Sequence, residues 1–233
     1  MNDTITIDTR DGSFSAYIAR PAAASAPAPA IVVIQEIFGV NADLRDTCDE
    51  LALQGYLAIS PDLFWRMEPG VDMSDQSEAE WEKGFSLYTA FDYDTGVEDI
   101  ASTMEVARTL SGANGKVGLM GYCLGGLMTF ITTARKGADA SVVYYGGSTE
   151  KHLDEANSIK NPLMIHLAED DEYIPRAAQT AIISALDGNP FASVFTYPGC
   201  NHAFARHRGT HYNEDASKQA NLRTADFFQA HLR

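Results

Sequence analysis

Basic charge is scarce in this chain: 17 Lys and Arg stand against 32 Asp and Glu, a formal net charge of -15 with a pI near 4.6. Nucleic acids and anionic membrane surfaces are held chiefly by clustered cations, so neither is an expected partner. Long apolar runs are also lacking. No stretch approaches the roughly 18 apolar residues of a membrane span, and residues 1–10 show no basic leader ahead of an apolar core. A cytoplasmic protein is therefore expected. Cysteine is limited to Cys48, Cys123 and Cys200, an odd number at wide spacing that suits neither a disulfide framework nor a paired zinc motif. Free thiols in a reducing compartment are the natural reading. Internal repeats and linkers are absent, and the one low-complexity tract is the Ala/Pro/Ser segment 21–29. A single domain over 1–233 is the expectation, since a 45% hydrophobic content suffices for a sizeable core.

What is present is an alternation of strand-like and helix-like segments. Residues 4–8 and 13–18 alternate apolar and polar around Asp11-Gly12, which predicts a β-hairpin. Residues 30–34 form a continuous apolar run, as in a strand covered on both faces. Similar runs recur at 56–60, 116–120, 141–145, 163–167 and 192–197, with helical patterns at 41–54, 98–110, 124–135 and 215–232. This order predicts an α/β fold with a mostly parallel sheet and helices on both faces. Residues 64–76 carry no clear period and read as a surface excursion.

In such a sheet, functional groups gather at the carboxyl ends of strands. Gly121-Tyr122-Cys123-Leu124-Gly125-Gly126 has the strand–turn–helix layout of a nucleophile elbow carrying a thiol, although glycines around a cysteine fit a structural βα turn about equally well. Three further candidates follow predicted strands: Glu36 after 30–34, Asp171 after 163–167 and His202 after 192–197. Nucleophile, acid, then histidine is the chain order of an α/β-hydrolase triad. Asp170 competes for the acid role, and the spacing to Ile174-Pro175 favours Asp171. Glu36 ends an otherwise apolar strand, where a carboxylate needs a partner or solvent. His202, His207 and His211 lack paired-ligand spacing, so no metal is expected.

Together, Gln35-Glu36-Ile37-Phe38-Gly39, Ser60-Pro61-Asp62-Leu63, the segment 118–126, the segment 171–175 and the segment 198–204 resemble the dienelactone hydrolase family. The resemblance spans nearly the whole chain and implies an α/β-hydrolase fold without a cofactor. It implies Cys123 as nucleophile, His202 as its proton partner, Asp171 as the orienting acid, and Glu36 as a carboxylate that keeps the thiol at rest until substrate displaces it. The backbone N–H groups of Leu124 and Ile37 would form the oxyanion hole, and Arg206 would hold a substrate carboxylate. Where the family's dienelactone-cleaving members have a second arginine, this chain has Trp81, and Ala203 replaces a common hydroxyl residue after the histidine. Trp81, Phe38 and Tyr145 are then pocket candidates, although each also suits a packing role. The expected protein is a monomer that hydrolyses a small ester or lactone. The alternatives are a broader carboxylesterase of the same fold and a noncatalytic ligand-binding relative; a redox role for Cys123 is disfavoured by the absence of a Cys-x-x-Cys pair.

Overall fold

The computed structural model describes residues 3–22 and 27–233, so part of the 21–29 connector lies outside the described residues. The chain divides into two compact units, Met1–Gly118 and Leu119–Arg233.

The first unit opens with the predicted hairpin, β1 (Asp3–Thr9) and β2 (Gly12–Ala19), in antiparallel register from Asp3↔Ile18 to Thr9↔Gly12. Strand β3 (Ala28–Ile34) is buried along its whole length, as its uninterrupted apolar sequence requires. Helix α1 (Ala42–Leu53) begins where the Asn41 side chain accepts a hydrogen bond from the Leu44 N–H at 3.1 Å. Strand β4 (Leu57–Pro61) pairs parallel to β3 and antiparallel to β2. Helix α2 (Glu78–Ala90) starts where the Ser77 hydroxyl accepts from the Glu80 N–H at 3.3 Å and donates to the Glu80 carboxylate at 2.9 Å. Helix α3 (Tyr93–Thr109) starts five residues earlier than the sequence pattern suggests, because Asp92 caps it through the Thr95 N–H at 2.8 Å. The excursion 64–76 forms neither helix nor strand. It is tied down by the Asp62 carboxylate, which accepts from the N–H groups of Phe64 and Gly70 at 3.1 and 2.7 Å. The strand order in this unit is β1-β2-β4-β3 and then β5 (Ala113–Tyr122), which continues into the second unit.

In the second unit the order runs on as β5, β6 (Ala140–Tyr144), β7 (Leu163–Ala168) and β8 (Ala192–Tyr197), with β6–β7 and β7–β8 parallel. Helices α4 (Leu124–Arg135), α5 (Arg176–Leu186) and α6 (Glu214–Leu232) and a 3-10 segment, Thr149–Ser158, connect and close these strands. Strand β5 runs two residues past the predicted end, remaining extended through Tyr122 until Cys123 turns the chain.

The second unit also buries a polar cluster. His166 is fully buried on β7, its Nδ1 2.8 Å from the Tyr197 hydroxyl and its Nε2 3.1 Å from the Thr224 hydroxyl. Arg223 donates to the Tyr197 hydroxyl at 3.0 Å and lies 4.3 Å over the Phe195 ring. Burial, with a smaller contribution from the Arg223 charge, lowers the His166 pKa to about 3, so the imidazole is neutral in the fold.

Candidate active site

The elbow is built by what its glycines omit. A Cβ on Gly121 would stand 2.1 Å from the Gly125 carbonyl oxygen, and one on Gly126 would stand 2.6 Å from the Tyr144 carbonyl oxygen. Between them Cys123 adopts φ 52°, a left-handed conformation that a non-glycine residue holds only when its surroundings dictate it. Its N–H donates to Tyr144 O at 3.1 Å, and its carbonyl accepts from the Leu127 N–H at 3.1 Å, fixing the turn at both ends. The thiol therefore sits at the N-terminus of α4. The Leu124 N–H, first in that helix, lies in the set of N-terminal donors without intrahelical acceptors. Cys123 is partly exposed.

Asp171 and His202 come together on the loops after β7 and β8. The Asp171 carboxylate lies 2.9 and 3.1 Å from His202 Nδ1, and its Oδ1 also accepts from the N–H groups of Tyr173 and Ile174 at 2.8 and 3.0 Å. Its neighbour Asp170 is exposed and donates its backbone N–H to Cys200 O at 2.9 Å, so the buried Asp171 is the carboxylate that meets the imidazole. Burial alone would lower the His202 pKa. The Cys123 charge and the Asp171 hydrogen bond outweigh it, and the pKa is pushed up from 6.5 to about 10. Cys123, His202 and Asp171 thus form one electrostatically coupled group, with the imidazole Nδ1 on the acid and Nε2 buried on the opposite side of the ring.

Two tyrosines flank the imidazole edge-on. Tyr145 is fully buried with its ring 5.1 Å from that of His202, and Tyr173 lies 4.9 Å away while remaining 44% exposed. Burial raises the Tyr173 pKa, with the charges of Glu172, Cys123 and Asp171 adding and that of Arg206 opposing, so its phenol stays protonated at neutral pH. Arg206 is buried, in a turn that its own N–H closes onto Ala203 O at 3.0 Å. Ala203 itself holds φ 62°. Cys200 is buried, and burial, followed by the Asp170 and Glu169 charges, raises its pKa.

The remaining candidates lie in the first unit. Glu36 and Ile37 are buried just beyond β3, and the Gln35 side chain braces this turn by accepting from the Leu63 N–H at 3.0 Å. Phe38 is buried and meets Trp81 edge-on at 5.0 Å; Trp81 stacks on Phe85 at 5.6 Å and donates its indole N–H to Asp75 O at 2.9 Å. Where the sequence expectation allowed Trp81 a packing role, the structure gives it one on α2.

Tyr173 and Asn201 were not singled out from the sequence. Tyr173 has a weak signal there, as an aromatic two residues after the expected acid. Asn201 has none, because its partners come from another strand's loop. Among the described residues no group of three or more His, Cys, Asp or Glu side chains could hold a metal ion, and no helix is long and apolar enough to cross a membrane.

Comparison with known proteins bears on this geometry. The model of the dienelactone hydrolase family matches residues 14–232. A carboxymethylenebutenolidase of Pseudomonas putida is 40% identical over 228 residues, covering 97% of this chain and 96% of that protein. Carboxymethylenebutenolidase 1 of Cupriavidus pinatubonensis is 35% identical, covering 97% of this chain and 96% of its own length. The solved structure of a dienelactone hydrolase-like promiscuous phosphotriesterase from metagenomic libraries superimposes with a TM-score of 0.85 at 17% identity, covering 100% of this chain and 99% of that one, a likeness of fold alone. The expected α/β-hydrolase architecture is the one observed.

Proposed function

The chain belongs to the dienelactone hydrolase family, and is a hydrolase of that family; from this premise we propose that it opens a lactone or ester through an acyl-enzyme on Cys123. The observation that carries this reading is the 2.9 Å contact of His202 with Asp171, together with the rise in the His202 pKa that the Cys123 charge and the Asp171 hydrogen bond produce.

The proposed cycle uses that coupling twice. The Cys123 thiolate attacks the carbonyl carbon, a C–S bond forms, and the oxyanion is held by the Leu124 N–H, with the Ile37 N–H as the second donor. As the C–O bond to the alcohol breaks, His202 gives its proton to the departing oxygen. Acylation has by then removed the thiolate charge, the largest influence raising the His202 pKa. The buried imidazole in the acyl-enzyme is therefore neutral and able to act as a base. Water attacks the thioester carbon, its proton passes to His202, the C–S bond breaks, and the thiolate–imidazolium pair returns. Asp171 keeps Nδ1 protonated and the ring oriented throughout.

Arg206 is the proposed anchor for a substrate carboxylate, and Glu36 the proposed carboxylate that restrains the thiol before substrate arrives. Trp81, standing where the family's dienelactone-cleaving members have a second arginine, brings no cation, and this supports the second reading, an enzyme accepting neutral esters as well as anionic lactones.

Incubation with a p-nitrophenyl ester followed by intact-mass analysis should show one acyl adduct that maps to Cys123 and is lost in Cys123→Ala. Turnover without such an adduct in the quenched protein would remove the covalent reading. A panel of anionic lactones and neutral esters tests the two supporting roles. Arg206→Ala should raise KM about tenfold or more for carboxylate-bearing substrates and much less for neutral ones, in line with the loss of a charge-assisted pair. Glu36→Gln should change iodoacetamide reactivity of the resting thiol; unchanged reactivity together with unchanged turnover excludes the restraint.

A further inference from the structure

The acid and the histidine of the site stand on separate loops, after β7 and β8, and their 2.9 Å contact survives only if those loops keep a fixed spacing. One side chain spans them. The Asn201 carbonyl oxygen accepts from the Glu172 N–H at 3.0 Å and from the His202 N–H at 2.6 Å, while its amide nitrogen donates to the Glu172 carboxylate at 3.2 Å. An amide is suited to this because it offers an acceptor and donors on one rigid plane. Its oxygen holds the residue directly after Asp171 and the residue that is the histidine itself.

Other contacts make this a fixed point. The Asp170 N–H donates to Cys200 O at 2.9 Å, so the two loops are also joined just before the acid and two residues before the histidine. His211 Nδ1 reaches the His202 carbonyl at 3.2 Å and lies 3.7 Å from Glu172. On the far side of His202, Ala203 is held at φ 62°, a conformation that persists only where its flanks are pinned. Tyr173, carried by the same clamp, places its ring against the imidazole.

We propose that Asn201 is a positioning residue that sets the Asp171–His202 geometry by tying the acid loop to the histidine loop. Glu172 is exposed and Asn201 half-buried, so water can replace the hydrogen bonds between them when the amide is lost, and the fold outlives the change. What water cannot replace is the fixed distance between the loops, and displacement of a proton-transfer group by about an ångström costs on the order of a hundredfold in rate.

The proposal rests on the Cys123 reading above, and Cys123→Ala is the control: activity retained in that variant overturns the reading itself, independently of Asn201. With that control inactive, Asn201→Ala should lower kcat about tenfold or more with KM changed less than about twofold. It should also shift the pH profile of Cys123 alkylation, which a loss of folded fraction does not move. Asn201→Asp keeps the acceptor for both N–H groups but sets a carboxylate against Glu172, and should lose at least as much. Asn201→Asp combined with Glu172→Gln restores a donor–acceptor pair of reversed polarity and should recover most of the loss. A wild-type kcat and alkylation profile in Asn201→Ala, or a double variant no better than Asn201→Asp, overturns the proposal. Should Asn201→Ala not fold, the recovery in the double variant decides.

Discussion

At the scale of single residues, the proposed chemistry turns on a charge that comes and goes. His202 is buried, a setting that disfavours imidazolium, yet its pKa is pushed up to about 10 by the Cys123 charge and the Asp171 hydrogen bond. The sign follows directly. A group raised from 6.5 to about 10 stays protonated at neutral pH and releases its proton as pH rises through about 10, provided Cys123 remains charged. In the proposed cycle that condition fails once the sulfur is acylated. Rapid-mixing measurements with an activated ester should therefore show deacylation reaching its plateau by about pH 8, as expected of a neutral imidazole base. A deacylation limb centred near pH 10 would mean that something other than the sulfur charge holds the proton. The choice between Asp170 and Asp171 belongs to this scale too: only the buried one of the pair faces the ring.

At the scale of elements, the strand–turn–helix around Cys123 does the positioning, and its tolerance is small. Gly121→Ala would drive a methyl group to 2.1 Å from a helix carbonyl, which neither β5 nor α4 can yield without moving the thiol. The expected result is a loss of about 1–3 kcal/mol or more of stability, read as a lowered urea midpoint, together with loss of activity. The turn and helix of this element were legible in the sequence, since glycine spacing and apolar runs are local signals; helix α4 occupies the predicted span 124–135, and β8 the predicted 192–197. The candidates Cys123, Asp171 and His202 were legible for the same reason, each following a strand in order. Asn201 and Tyr173 were not, because their roles come from pairing between loops separated by about thirty residues, and no periodicity records that. The early start of α3 and the extra length of β5 were missed for a smaller reason: a capping Asp92 and a turn at Cys123 set those ends, and the apolar pattern does not reach either.

At the scale of the whole molecule, acid stability should be governed in part by His166. Its folded pKa of about 3 lies below the unfolded 6.5, so the unfolded chain binds the extra proton between those values. Stability from this residue is complete above pH 6.5 and declines as pH falls toward 3. At pH 5 the decline amounts to about 2 kcal/mol, and unfolding free energies extrapolated from urea at pH 7 and pH 5 should differ by that much more in the native chain than in His166→Gln. Equal pH sensitivity in the two proteins would show that burial of His166 is relieved before the chain unfolds. The boundary between the two compact units has a different consequence. It falls between Gly118 and Leu119, inside β5 rather than in a loop. A gene divided there would give two polypeptides, each ending in a severed strand with exposed edge amides, so the halves are poor modules for recombination. A point where foreign sequence can be grafted lies elsewhere, at the surface turn of Gly188, where a side chain would meet nothing within 4 Å.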